Sequence, residues 1–265
     1  MSAMSAYVDG ISVIGPGCAD WPATEAVLAG RADYLPSPTV LSPVLALPPA
    51  ERRRTGRIVR LAIATGLEAA GRAAADPASL PAVFSSSGGD GDNCHEICQT
   101  LATSDRQLSP TRFHNSVHNA PAGYWSIATG AMAASTSLCA FDASFAAGLL
   151  EALAQVVALG RPTLLIACDA PYPSPLHEKR PIPDAFGTAL VLAPAKGERS
   201  LLRLTVGLDE HRADHMTEPR LESLRAGVPA ARSLPLLALI ARRVAGSVNV
   251  EYLAPVTLRI DVEPC

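Results

Sequence analysis

The segment from Ser135 to Gly160, STSLCAFDASFAAGLLEALAQVVALG, constrains the fold more than any other part of this chain. It reads as a strand, STSLCAF, then Asp142 as a helix N-cap, then a helix that runs to Gly160, where a glycine ends it. Within the helix, Ser144, Glu151 and Gln155 make one thin polar line, and every other position is apolar or glycine. Such a helix is expected to be wrapped by protein, so the chain has to supply layers on both sides of it.

The flanking sequence alternates in the same way. Tyr7 to Ile14 predicts a strand, Pro22 to Ala29 a helix, and Glu51 to Ala75 a long helix. In that long helix Ile58, Leu61, Ala62 and Ala69 share an apolar face interrupted by Thr65, while Arg53, Arg57 and Arg60 share another that is expected to meet water. PAVFSS (Pro81 to Ser86) predicts a short buried strand, and Cys94 to Ala102 and Ala122 to Ala133 predict helices. Strands follow at Thr163 to Cys168 and GTALVLAP, separated by the proline-laden loop PYPSPLHEKRPIP. Further strands are expected at Leu201 to Val206, Val248 to Leu253 and Val256 to Val262, with a helix over LPLLALIARRVAG before the last two. No repeat and no clean linker divides the chain, which predicts one α/β domain over residues 1–265.

Composition narrows the function classes. With 22 Lys+Arg against 25 Asp+Glu, the net charge of -3 gives no footprint for a nucleic acid. Charged residues are 18% and hydrophobic ones 48%, which speaks against disorder and for extra buried or interfacial surface. From Phe113 to Phe141 there is no Asp, Glu, Lys or Arg, so that stretch is expected to be core or contact surface. Six cysteines without framework spacing fit a reducing cytoplasm, and the N-terminus has no signal-like pattern. Candidate membrane spans are broken by Pro, Asn, His or Glu, so none is expected.

Several motifs carry candidate chemistry. The first turn of a helix that follows a strand offers unpaired N–H groups and a positive dipole end, a good place for a nucleophile. That position holds Ala143, followed by Ser144, with Cys139 four residues upstream. Cys139 reads as a nucleophile or, more in keeping with free cysteines, as a packed small hydrophobe; Ser144 has the dipole but no sequence-local base. His114 and His118, and the Cys94, His95, Cys98 cluster, lack the further ligands a metal requires, and no metal or cofactor is expected. SGGDGDN lacks a phosphate-loop pattern, and its Asp90 and Asp92 favour a tight turn. HRADH (211–215) reads as surface helix or loop. Arg52, Arg53 and Arg54 read as an acidic-partner dock or as a solvated helix face.

Taken in order, RRRTGRIVRLAIATGLEAA, AVFSSSGGDG, SPTRFHNSVHNAPAGYWSIATG, TSLCAFDASFAAGLLEALAQVVALGRPTLLIACD and FGTALVLAP resemble the N-terminal half of a β-ketoacyl synthase, over about Tyr7 to Pro194. Residues 195–265 then form a C-terminal extension of strands and one helix. The chain is most similar to the short, synthase-like chain-length-factor subunits of bacterial aryl-polyene type II polyketide pathways, with HNSVHNAPAGYWSIAT as the most specific segment. The resemblance implies a thiolase-like fold, a layered sheet with a buried central helix. It also implies that Ala143 stands where active relatives carry cysteine, and that the region bearing their two histidines is missing.

By that resemblance the chain is expected to be a non-catalytic subunit. It would pair with an active β-ketoacyl synthase as a heterodimer, shape the tunnel for a growing acyl chain, and associate with itself or lose solubility when made alone. The resemblance places the partner interface on Ser135, Thr136, Ser137, Leu138, Cys139, Ala140 and Phe141. Phe113, Tyr124, Trp125, Phe141 and Phe145 are tunnel candidates or plain core, and Arg52 to Arg54 are candidates for docking an acyl carrier protein. The competing expectation is an acyltransferase or thioesterase that uses Cys139 or Ser144 with His114 or His118 as base.

Overall fold

The computed structural model describes residues 4–265. Its strands are β1 (Met4–Ile14), β2 (Ala82–Ser85), β3 (Ser135–Leu138), β4 (Thr163–Asp169), β5 (Phe186–Ala193), β6 (Leu202–Asp209), β7 (Gly246–Glu251) and β8 (Thr257–Pro264). They form one eight-stranded sheet in the order β3-β2-β4-β5-β1-β6-β8-β7. β2 is parallel to β3 and to β4, and every other pair is antiparallel. The parallel part is the part that needs helical crossovers, and the uncharged run and the apolar helix supply them.

Helices cover the sheet on both faces. On one lie α7 (Ser144–Leu159), α1 (Trp21–Leu28), α10 (Leu234–Arg242) and a 3₁₀ turn at Pro229–Ser233; Phe145, Leu149, Leu153 and Val156 of α7 join Val83, Leu165 and Leu190 of the sheet in one core. On the other lie α3 (Arg57–Arg72) and α6 (Ala120–Thr129), whose Ile58, Leu61, Tyr124 and Trp125 pack with Leu164 and Ile166. β4 and β5 are buried along their whole length because both faces are covered, as their unbroken apolar runs imply. This is the thiolase-like arrangement of a mixed sheet with a central helix. Phe141–Leu159 has the length and mean hydropathy (1.4) of a membrane span, contrary to the expectation that no stretch reaches that length; half of it is buried in the fold against the sheet.

Several sequence expectations are corrected. The long helix from Glu51 to Ala75 is two helices, α2 (Pro49–Arg54) and α3, parted by extended backbone at Thr55 and Gly56. A Cβ on Gly56 would lie 2.3 Å from the Asp90 carboxylate, so the break is where a loop from β2 presses on the chain. The arginine face does not simply meet water either: Arg57 donates to Asp184 Oδ1 at 2.5 Å and to the Thr39 carbonyl. The strand expected over Ser135 to Phe141 ends at Leu138, and Phe141–Ala143 is a 3₁₀ turn. Asp142 does not cap α7, whose N-terminus carries no side-chain cap. SGGDGDN is a bend over Ser87–Gly89 that ends at Asp90, which caps α4 (Gly91–Leu101), so its GDN is already helical. α5 (Pro110–Asn115), α8 (Leu176–Lys179) and α9 (Pro219–Gly227), all short, were not legible from periodicity.

The two outer edges of the sheet differ. At β7, Asn249 donates its N–H to Asp214 Oδ2 (2.7 Å) and its carbonyl accepts from the Asp214 N–H (2.8 Å), so the HRADH loop closes that edge. β3 pairs with β2 alone, and among the described residues no strand or loop backbone covers its outer side.

Candidate functional site

The mouth of α7 is assembled from five chain segments. Ser85 Oγ, at the end of β2, donates to the Ser144 carbonyl at 2.5 Å, and Gly148 approaches β2 so closely that a Cβ would meet Ser85 at 2.8 Å. At the end of β4, buried Asp169 accepts from the Ser87 N–H and the Ala230 N–H, both at 2.8 Å, which joins the loop after β2 to the 229–233 turn. Burial is the largest influence on Asp169 and pushes its carboxyl up to about 6, against the pull of those N–H donors. Ala143 is buried at the head of the helix, and its side chain is a methyl group.

Cations close the mouth on its outer side. Asp142 takes Arg180 on Oδ1 (2.7 Å) and Arg232 on Oδ2 (3.1 Å), and the Arg180 guanidinium lies 3.6 Å from the centre of the Phe141 ring. Two charge-assisted bonds outweigh the single backbone N–H that an N-cap would have offered Asp142. Arg232 also reaches Glu251, which pairs with the buried Arg225. Beside Asp142 and Arg180 opens a cleft of about 450 Å³, lined also by Lys179, Ile182, Gly227 and Pro229.

The nucleophile candidates are not joined to a base. Ser144 Oγ donates to the Phe141 carbonyl (2.7 Å) and accepts from the Ala140 N–H (3.1 Å), so backbone groups occupy it. Cys139 is exposed, not packed, because the strand ends one residue before it; its thiol donates to the Ser87 carbonyl. His118 Nε2 is bonded to the Ser86 carbonyl, and His114 stands edge-on to Tyr124. Among the described residues, no hydrogen bond links either histidine to Cys139 or Ser144, and no group of three or more His, Cys, Asp or Glu is placed to hold a metal.

The five tunnel candidates are not brought together. Phe145 is buried on the α7 face of the sheet, Tyr124 and Trp125 are buried on the opposite face, and Phe113 and Phe141 are exposed. Three of the five are therefore core, and the sheet separates Phe145 from the other two. Nor do the three arginines form one cationic patch. Arg52 donates to the Leu47 carbonyl, Arg54 pairs with Glu51, and Arg53 is exposed and, among the described residues, without a partner.

The open side of the fold is apolar. Met132 (96% exposed) and Phe141 flank β3 in the chain and are exposed, as are Ile127 on α6 and Leu159 on α7, and α4 buries no residue at all. α7 is not wrapped all round: Ala147, Leu150, Glu151, Ala154 and Gln155 are only half-buried and Ala158 is exposed, one stripe at helical spacing. Gln155 Nε2 bridges that stripe to the edge strand, donating to Thr136 Oγ1 (3.0 Å) and to Glu151 Oε1 (2.7 Å). The charge-free run signalled this surface, but nothing in the sequence signalled the Arg180–Asp142–Arg232 clamp, whose members lie up to 90 residues apart.

The sequence model of the β-ketoacyl synthase N-terminal domain matches residues 21–246. The chain belongs to this family. The match runs past Pro194 through β6 and α10 and ends at the first residue of β7, so β8 lies beyond it. No curated protein sequence matches the chain significantly. Among solved structures, the fold resembles a chain of the complex of ketosynthase ApeO with its chain length factor ApeC from Xenorhabdus doucetiae, at TM-score 0.72 and 23% identity over 98% of this chain and 99% of that one. It resembles a chain of the ishigamide ketosynthase/chain length factor at TM-score 0.68 and 16% identity, over 98% and 99%. A third similar structure is AntDE:AntF, a type II acyl-carrier protein in complex with its ketosynthase, at TM-score 0.72 and 10% identity over 99% and 100%. At these identities the likeness fixes the β-ketoacyl synthase fold.

Proposed function

We propose that this chain is a non-catalytic, chain-length-factor subunit that pairs with an active β-ketoacyl synthase and helps to shape the path of a growing acyl chain in aryl-polyene-type polyketide synthesis. The observation that carries the reading is the contrast between the two sheet edges: β7 is closed by Asp214, while β3 is open and bordered by apolar side chains. An uncovered strand edge beside exposed apolar surface is an aggregation hazard that a partner removes. The ketosynthase and chain length factor complexes among its structural neighbours support the choice of partner. The interface we assign is Ser135–Leu138 with Cys139, Ala140 and Phe141 as its continuation.

Ala143 supports the non-catalytic half of the reading, since a methyl group cannot form a thioester and Ser144 is held by backbone. Phe113, and the part of Phe141 that Arg180 leaves uncovered, are the aromatic candidates exposed to meet an acyl chain held between subunits. Arg53 is the residue of the Arg52–Arg54 group left free to meet an acidic carrier protein such as the one in the AntDE:AntF complex. Six free cysteines suit the cytoplasm.

The test is to express a full-length β-ketoacyl synthase of the source organism with and without this chain. The reading expects higher soluble yield of synthase and a product of defined length when the chain is present; equal yield and equal product length overturn it. Incubation of the complex with an acyl thioester is expected to leave acyl mass on the synthase alone. An adduct on this chain that Cys139→Ala or Ser144→Ala abolishes overturns the non-catalytic half.

A further inference from the structure

Phe113 to Gly160 contains two formal charges, Asp142 and Glu151. Asp142 is neutralised by Arg180 and Arg232. Among the described residues Glu151 has no cation within ion-pairing distance; its Oε1 accepts from Gln155, and it sits half-buried in the centre of the open stripe on α7. The stripe is otherwise small or apolar, with Ala147, Leu150, Ala154 and Ala158, which permits close approach of another element. Through Gln155 and Thr136 it is continuous with the open edge of β3.

We infer that this stripe is part of the subunit interface and that the partner delivers a cationic side chain to Glu151. The inference rests on the synthase-pairing reading and deepens it, because it identifies what selects a synthase over a second copy of this chain. A two-fold contact between copies brings the same patch to both sides. That stripe carries no Arg or Lys of its own, and the arginines at the two ends of α7, Arg161 and Arg180, are engaged with the Ser79 carbonyl and Asp142. Covering a carboxylate without a counter-charge is strongly unfavourable, so self-pairing leaves Glu151 uncompensated while a cation-bearing partner satisfies it.

The test uses the tagged full chain and each full-length β-ketoacyl synthase encoded in the source genome, with affinity measured on purified proteins and self-association by native mass spectrometry. Glu151→Arg is expected to weaken synthase binding by about tenfold or more, and Glu151→Gln by a smaller factor while raising the self-dimer fraction. Ala154→Trp, which fills the stripe without touching charge, is expected to weaken binding as well, and circular dichroism shows whether each variant is folded. Wild-type affinity in folded Glu151→Arg and Ala154→Trp overturns the inference and leaves the pairing reading intact. Failure of wild-type chain to bind any synthase overturns the pairing reading itself.

Discussion

Arg180 holds Asp142 at 2.7 Å while its guanidinium covers the ring of Phe141, whose backbone is in the left-handed region at φ +52°. One side chain thus fixes both residues that precede the helix-head position 143. The side chains of Arg180 and Arg232 are 20% and 17% exposed, so Asp142→Ala would leave two poorly solvated cations facing each other. Because Asp142 itself is 36% exposed, the loss is expected at about 1–3 kcal/mol, below that of a fully buried pair. Urea denaturation measures it, and an unchanged midpoint would show that the clamp contributes nothing to stability.

Two glycines give opposite expectations. Gly56→Ala places a Cβ against the Asp90 carboxylate and is expected to destabilise by about 1–3 kcal/mol. Gly71, in α3, has nothing within 4 Å of its Cβ position, so Gly71→Ala is expected to stabilise by up to about 1 kcal/mol through helix propensity. Thermal melts of the two variants should move in opposite directions; movement in the same direction contradicts the packing described at Gly56.

Stability should depend on pH through Asp169. Its carboxyl lies at about 6 in the fold against an ordinary 3.8, so between these values the folded protein keeps a proton that the unfolded chain has released. Its contribution is therefore full below about pH 4, falls as pH rises to about 6, and is flat above, a total of about 3 kcal/mol. The difference in unfolding free energy between wild type and Asp169→Asn is expected to shrink by that amount from pH 4 to pH 7. A difference that stays constant over this range removes the buried titration.

The apolar run of α7 and the unbroken strands Thr163–Asp169 and Phe186–Ala193 were legible because a residue buried on both sides leaves a composition that no other environment tolerates. The helix break at Gly56, the loss of the Asp142 cap and the solvent exposure of Cys139 were not. Each depends on a group far along the chain: Asp90 against Gly56, Arg180 and Arg232 on Asp142, and the 3₁₀ turn that ends β3 early. The choice between tunnel and core stayed open for the aromatic residues for a related reason, since bulk alone does not say on which side of a sheet Phe145, Tyr124 and Trp125 are buried. Asn249 and Asp214, which close one edge and so single out the other, lie 35 residues apart, and local patterning does not register them.

Thiol labelling reads the interface without mutation. Cys139 and Cys265 are exposed, whereas Cys18 and Cys168 are buried, with burial pushing the Cys18 thiol up to about 11 and raising Cys168 as well. In the free chain a maleimide should modify Cys139 and Cys265, together with the exposed Cys94 and Cys98, and spare the buried pair. On adding the synthase, Cys139 should become protected while Cys265, at the far end of β8, stays reactive. Equal labelling of Cys139 in both states would place the interface elsewhere.

Hydrogen–deuterium exchange at Ser135–Leu138 tests the central claim most directly. Among the described residues, the β3 amides that face away from β2 have no protein partner in the chain alone. They should exchange rapidly in isolation and slow by at least about tenfold once a full-length β-ketoacyl synthase is bound, with β7 unchanged. Exchange at β3 that is equally fast with and without the synthase would contradict the account.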